Sequence, residues 1–189
     1  MNRQEIMEIL AEYSVIRDGH FVLTSGRHTD RFLLCNQLTM YPDITKKLVS
    51  QLAQKVKPFQ PNVIVGPAMG GVILAYELAS ILGSRAMFAE KQSDETMALK
   101  RGFVLDEDDR VFIIEDAVST GGSVRKVIDA VKSTQAQLLG VAALFDRTSG
   151  QVDFDGLPFL SLMEINITSY DPDDCPLCRA GLPLIKPKS

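Results

Sequence analysis

Short apolar runs alternate with amphipathic stretches through the middle of this chain, and that alternation constrains its fold more than any other feature. NVIVG (62–66), RAMFAEK (85–91), RVFIIED (110–116), QLLGVAALFDR (137–147) and PFLSLMEI (158–165) read as strands. GGVILAYELASILG (70–83) reads as a helix stopped by Gly83, and residues 123–133 as another. Strands alternating with helices predict an α/β fold: an open, mostly parallel twisted sheet with helices on both faces. In such a sheet, ligands sit beyond the carboxyl ends of the strands.

The flanks are plainer. Residues 2–13 set Ile6, Ile9, Leu10 and Tyr13 at helical spacing. Residues 43–57 do the same with Ile44, Leu48, Leu52 and Val56, with Asp43 as the expected N-cap. GHFVLTSGRHTDRFLLCNQL reads as two short strands about a Ser25-Gly26 turn. Residues 92–109 are polar without periodicity and read as a long loop, with hairpin character at 99–105. Such a loop is expected to be mobile and to close over a ligand. A chain of 189 residues fits one domain, divided into an N-terminal segment 1–42, an α/β core 43–169 and a proline-rich irregular tail 170–189.

The chemistry concentrates at VFIIEDAVSTGGS, residues 111–123. A buried strand runs into two adjacent acids, Glu115 and Asp116. Ala117, Val118, Ser119, Thr120, Gly121, Gly122 and Ser123 then open a helix. A helix N-terminus presents unpaired N–H groups and partial positive charge, which suits a phosphate. Gly121 and Gly122 let backbone approach an anion closely, and the hydroxyls add donors. Two carboxylates beside a phosphate would repel it unless they face sugar hydroxyls or a shared metal ion. A ribose 5-phosphate meets both demands. No GxGxxG follows a strand and no GxxxxGK[ST] occurs, so dinucleotide and Walker-type sites are excluded.

This string resembles the phosphoribosyl pyrophosphate (PRPP) signature of the type I phosphoribosyltransferases, and the resemblance extends over residues 20–150. It implies that Glu115 and Asp116 take the ribose hydroxyls while residues 117–123 wrap the 5-phosphate. VGPAMGG (65–71) resembles the family's pyrophosphate loop, which implies that role for Pro67, Ala68, Met69, Gly70 and Gly71. AEKQSDETMALKRGF (89–103) resembles the catalytic loop of the orotate enzymes, with Lys91, Lys100 and Arg101 as PRPP-binding cations and Lys91, with Asp116, as a catalytic residue. LTSGRHTDRF (23–32) resembles their N-terminal hood, which implies base contacts from Ser25, Gly26 and Arg27. Arg147, closing LFDR, takes the place of the arginine that pairs with the orotate carboxylate, beside Ser119. The chain departs from the common pattern at Thr24, where many members have lysine, and at Ser119, where many have threonine.

The resemblance implies transfer of the phosphoribosyl group from PRPP to orotate, giving orotidine 5′-monophosphate and pyrophosphate in pyrimidine biosynthesis. It also implies Mg²⁺ bound mainly through PRPP, with no metal ligand assigned to the chain, and a homodimer with loop residues shared across subunits. Rival readings are a transferase for a purine or other base, and a non-catalytic PRPP-sensing regulator. Arg147 and the SGR turn argue against the first. A net charge of −4 argues against a nucleic-acid-binding regulator and against a membrane-surface protein. The N-terminus has no cleavage-site pattern and no apolar run would span a bilayer. Three cysteines fit a reducing cytoplasm better than a disulfide scaffold. CPLC (Cys175, Cys178) is a lone CxxC; His20 and His28 are distant in sequence, so the expectation is a structural tail with free thiols, not zinc.

Overall fold

The computed structural model describes residues 1–23 and 25–186. Thr24 and residues 187–189 lie outside that description, so the departure at Thr24 and the last three residues of the tail do too. The chain divides into two compact units: Thr39–Ile165, and Met1–Leu38 together with the chain from Asn166 onward.

The larger unit is built on a six-stranded sheet in the order β5-β4-β3-β6-β7-β8. Its strands are β3 (Val63–Pro67), β4 (Arg85–Lys91), β5 (Met97–Leu99), β6 (Arg110–Val118), β7 (Gln137–Asp146) and β8 (Phe159–Glu164). All neighbours pair parallel except β5, an antiparallel edge strand on β4. The expected mostly parallel sheet is therefore present. Its helices are α3 (Pro42–Val56), α4 (Gly70–Leu82) and α5 (Gly122–Lys132).

Alternation along the strands separates two faces. Val63, Val65, Val111, Ile113, Val141 and Ala143 pack with Val124, Val127, Ile128 and Val131 of α5. The intervening Ile64, Phe112, Ile114, Ala142 and Leu144 are fully buried on the other face, where α3 and α4 pack. The edge of Phe59, just after α3, meets the ring of Phe112 at 5.3 Å between centroids. At roughly 25 cal/mol per Å² of apolar surface buried, two such faces supply the main drive for folding.

Four details differ from expectation. Pro42 opens α3 and Tyr41 is its N-cap; Asp43 lies in the first turn, where its charge favours the helix dipole without capping it. The hairpin expected at 99–105 lies earlier, with Lys91 opposite Met97 and a tip at residues 92–96. The remainder of the supposed loop is anchored: Phe103 meets Phe88 edge-on at 5.1 Å, Leu105 is buried in the α5-side core, and Asp109 is buried and ion-paired to Arg85. Finally, β6 runs three residues past Glu115, because its ladder with β7 continues through Val118 opposite Asp146.

The smaller unit begins with α1 (Arg3–Glu12), capped by Asn2, whose side chain accepts from the Glu5 N–H while the Glu5 carboxylate accepts from the Asn2 N–H. β1 (Ile16–Val22) and β2 (His28–Leu33) form the expected antiparallel hairpin around Ser25-Gly26. Gly26 adopts φ +81°, a left-handed turn position that suits glycine. A short helix α2 (Asn36–Thr39) follows, which the apolar spacing does not signal. The tail is more ordered than expected. β9 (Ser169–Tyr170) adds a third strand beside β2, and α6 (Pro176–Arg179) carries the CPLC segment. Ile185 donates to His20 O at 2.8 Å and accepts from Val22 N at 3.0 Å. His20 and His28, distant in sequence, meet Cys175 and Cys178 here. No helix among the described residues is long and apolar enough to cross a membrane.

Candidate active site

The carboxyl ends of β3, β4 and β6 lie side by side in the sheet, with Ala89 of β4 level with Pro67 of β3. The Ala68 N–H donates to Ala89 O at 2.8 Å, tying the turn after β3 to β4. Gly71 starts α4 so close to the sheet that an added Cβ would stand 2.8 Å from Ile114 O. A Cβ on Gly70 would stand 2.8 Å from Asp116 Oδ2. Gly71 is thus required where the turn backs onto the sheet, and Gly70 leaves room for the Asp116 carboxylate. Met69 projects from the same turn and is 83% exposed.

Glu115 is buried and Asp116 half-buried. Glu115 Oε1 accepts from the Asp116 N–H at 3.0 Å, and Asp116 Oδ1 from the Ala117 N–H at 2.5 Å. Those bonds favour the ionised carboxylates, but they do not win. Burial, followed by the charge of Asp116, pushes the Glu115 carboxyl up to about 8. Burial also raises Asp116. Two crowded acids, costly to ionise, stand ready for positive charge or hydroxyl donors.

Past Val118 the chain turns through Ser119, Thr120 and Gly121 into α5. Ser119, Thr120, Gly122 and Ser123 are exposed. Gly121, the N-cap, has φ +76°, and a Cβ there would meet Phe154 at 2.9 Å and Val152 at 3.1 Å. Glycine is needed at this position for both reasons. The turn encloses a pocket of about 70 Å³ lined by Glu115 and residues 117–124. That is far below the ~300 Å³ of the smallest typical ligand clefts, so it matches one anionic group and not a whole nucleotide. Phe154, which walls the turn from behind, lies outside any motif; its only sequence signal is an aromatic in a polar loop.

Arg147 follows β7, and its N–H donates to Val118 O at 2.8 Å. This ties the main chain at Arg147 to the end of β6, one residue before Ser119. Asp146, the neighbour on its N-terminal side, accepts from the Thr148 N–H at 2.7 Å through Oδ1.

The three expected cations all lie on or beside the β4–β5 hairpin. Lys91 pairs with Glu95 at 2.7 Å, and Lys126 of α5 approaches the same carboxylate at 3.7 Å. The Lys91 hydrogen bond is the main reason that the Glu95 carboxyl lies below its usual range. Arg101 makes a two-pronged contact with Glu90, at 3.1 and 2.8 Å, and lies 5.9 Å over the Phe88 ring. Lys100 is exposed. In this state, therefore, Lys91 and Arg101 are engaged with acids of their own hairpin, and neither Glu90 nor Glu95 carries a motif that would have predicted it. Ser25, Gly26 and Arg27 belong to the smaller unit, where Arg27 donates to Ser169 Oγ at 3.0 Å and Ser169 O at 2.8 Å.

Comparison with known proteins bears on the family and the fold. Residues 37–171 match the phosphoribosyl transferase domain. The orotate phosphoribosyltransferase of Caldanaerobacter subterraneus subsp. tengcongensis is 43% identical over 189 residues, which is all of this chain and 98% of that one. The Thermotoga maritima orotate phosphoribosyltransferase is 42% identical over 184 residues, 97% of each chain. The crystal structure of orotate phosphoribosyltransferase from Aeropyrum pernix superposes with a TM-score of 0.74, over 85% of this chain and 93% of that one; at 20% identity it speaks for the fold. Likeness that runs the whole length of the chain leaves one conclusion: this protein belongs to the phosphoribosyl transferase family.

Proposed function

We propose that this protein is an enzyme that transfers the phosphoribosyl group of PRPP to orotate, giving orotidine 5′-monophosphate and pyrophosphate. The observation that carries the reading is that two glycine-containing turns, 67–71 and 119–123, both lie against the Glu115–Asp116 pair. PRPP has parts to match: pyrophosphate, ribose hydroxyls, 5-phosphate. The acceptor is argued from the full-length relatives and from Arg147, a rigid planar donor suited to a carboxylate.

In the reaction the C1–O bond to pyrophosphate breaks, carrying its electron pair onto the leaving group, and orotate N1 bonds to C1 as its N–H proton passes to pyrophosphate or solvent. Glu115 and Asp116 hold the ribose 2- and 3-hydroxyls and face the cationic character that develops on the sugar. The N–H groups and hydroxyls of Ser119, Thr120, Gly121, Gly122 and Ser123 fix the 5-phosphate, so that C1 is held against the acceptor. Backbone of the 67–71 turn, with Lys91, Lys100 and Arg101, stabilises the departing pyrophosphate. For those cations to act, Lys91 and Arg101 must exchange Glu95 and Glu90 for phosphate oxygens. The donor set fits a hard divalent cation, since two crowded buried carboxylates gain from positive charge beside them. Mg²⁺, bound mainly through PRPP, supplies charge neutralisation for the leaving group. Ser25, Gly26 and Arg27 contribute to orotate binding. The enzyme works in the cytoplasm as a homodimer whose hairpin cations serve the neighbouring subunit's site.

The test is the loss of orotate absorbance on adding PRPP and Mg²⁺, with each omitted in turn and with purines offered in competition. Turnover that needs all three and is indifferent to purines is expected. Turnover of a purine without orotate turnover would overturn the assignment of the base. For the shared site, a Lys91→Ala chain mixed with an Asp116→Asn chain should recover activity, approaching half of wild type per heterodimer. Mixed dimers that show only the sum of the parents' residual rates would place Lys91 in its own subunit's site.

A further inference from the structure

We infer that His20, His28, Cys175 and Cys178 form a zinc site that pins the C-terminal segment to the β1–β2 hairpin. It goes beyond the expectation of a structural tail with free thiols, and it stands apart from the proposed reaction. The sequence separates the two halves of the cluster by some 150 residues; the fold brings all four ligand atoms within 4.8 Å of one another.

The separations fit a coordination shell. His20 Nε2 lies 3.1 Å from His28 Nδ1, 3.5 Å from Cys175 Sγ and 3.7 Å from Cys178 Sγ; Cys178 Sγ lies 3.3 Å from His28 Nδ1. A tetrahedron with Zn–S near 2.3 Å and Zn–N near 2.0–2.1 Å has edges of about 3.3–3.8 Å. Four of the six separations fall in or close to that range and all six lie within 4.8 Å, so a small closing movement brings every donor to bonding distance of one central ion. Two sulfurs and two imidazole nitrogens in that arrangement select zinc over the oxygen-seeking Mg²⁺ and Ca²⁺.

A second contact orients the first ligand. His20 Nδ1 lies 2.9 Å from Leu182 O, and a carbonyl can only accept, so the proton sits on Nδ1. Nε2 is then left with its lone pair aimed at the other three donors, the outer-shell arrangement expected of a metal-binding histidine. The cysteines are presented by one turn of chain: Cys175 caps α6 and accepts from the Arg179 N–H at 3.2 Å, while Cys178 lies three residues on, the spacing that shares a helix face. His20, His28 and Cys175 are buried, and buried polar groups need partners. One cation satisfies four at once.

The role is structural. β9 contributes only two residues to its sheet, a weak grip on the tail for a unit with a small core. A metal that binds the folded chain and not the unfolded one adds its binding free energy to that grip.

The experiment is metal analysis of the untagged, full-length protein, purified under reducing conditions without chelator. About one zinc per chain is expected. Replacing it with Co²⁺ should give the intense visible bands of a tetrahedral ion and a thiolate charge-transfer band. Cys178→Ser and His28→Gln should each lower zinc content at least tenfold. A strong chelator should lower the melting temperature of the wild type and leave the variants unmoved. Should the variants fail to fold, wild-type zinc content and the cobalt spectrum decide alone. Wild-type protein with less than a tenth of an equivalent of zinc after dialysis against micromolar Zn²⁺ would overturn the proposal. So would a cobalt spectrum without thiolate bands, undiminished zinc in both variants, or a Cys175–Cys178 disulfide found by mass spectrometry in protein kept reduced.

Discussion

The turn at the end of β6 and the histidine–cysteine cluster of the smaller unit are the two proposed binding sites, and they are built in opposite ways. The first is contiguous. Within nine residues it spends two carboxylates, three hydroxyls and two glycines, and it leaves its donors facing outward. The second draws one donor from each of two strands and two from a distant helical turn, and it points them at one another. A site that must accept and release a substrate on every cycle keeps exposed backbone and tolerates acids that are expensive to ionise. A site that holds one ion permanently closes its shell and fixes it from behind. Substitutions should therefore divide cleanly, with activity lost at the first and stability at the second.

The largest effect expected is that of Asp116→Asn. Removing one charge from the ribose site should cost about two to three decades in kcat/KM, the scale seen when one preorganised electrostatic group is removed. Its melting temperature should hold or rise, because burial already penalises that charge. Cys175→Ser should do the reverse, with an unchanged kcat and a lower melting temperature. If Asp116→Asn unfolded the protein while preserving PRPP kinetics, the division between the regions would collapse.

Arg147→Ala comes next. Loss of a charge-assisted pair is worth roughly 1.5–3 kcal/mol, or about one to two decades in affinity. Steady-state kinetics should show that loss in the orotate KM and little change in the PRPP KM. Equal changes in both would remove Arg147 from the base site.

Gly121→Ala sharpens the comparison because it should fail on both counts. A left-handed φ and a Cβ pressed against Phe154 imply a cost of about 1–3 kcal/mol, read by denaturant unfolding, together with weaker PRPP binding as the turn distorts. An alanine variant of full stability would mean that the turn is free to relax.

The last expected effect is a slope with pH. Burial raises the folded-state pKa of Glu115 from 4.5 to about 8, so the folded protein holds a proton that the unfolded chain gives up. Below 4.5 both states are protonated and there is no penalty. As pH rises toward 8 the penalty grows, and it is complete above that value. The ligand-free protein should therefore lose several degrees of melting temperature across this window, since about 1 kcal/mol corresponds to roughly 2–4 °C at this size. Glu115→Gln should flatten the slope.

What the sequence revealed follows the same contrast. The sheet and the phosphate turn were legible because each depends on neighbours along the chain: apolar run, acids, glycines, helix. The errors arise where distant partners decide. β6 outlasts its acids because β7 continues to pair through Val118. The hairpin forms at 92–96 because Phe103 and Leu105 are pulled down onto Phe88 and the core. Pro42 and Tyr41 displaced Asp43 as the start of α3, a local signal that apolar spacing obscured. The histidine–cysteine cluster was illegible for the strongest reason: a CxxC and two histidines have no spacing that says they meet.

One pairing bears on how the molecule comes into being. β2 joins β9 through His28 opposite Tyr170, so the hairpin made early in translation lacks its third strand until more than a hundred further residues have left the ribosome. The sheet of the larger unit, complete once Glu164 has emerged, can condense while that hairpin is still waiting. During the interval the outer edge of β2 offers unmatched N–H and C=O groups to any extended peptide nearby. Crowded polysomes and over-expression lengthen the exposure.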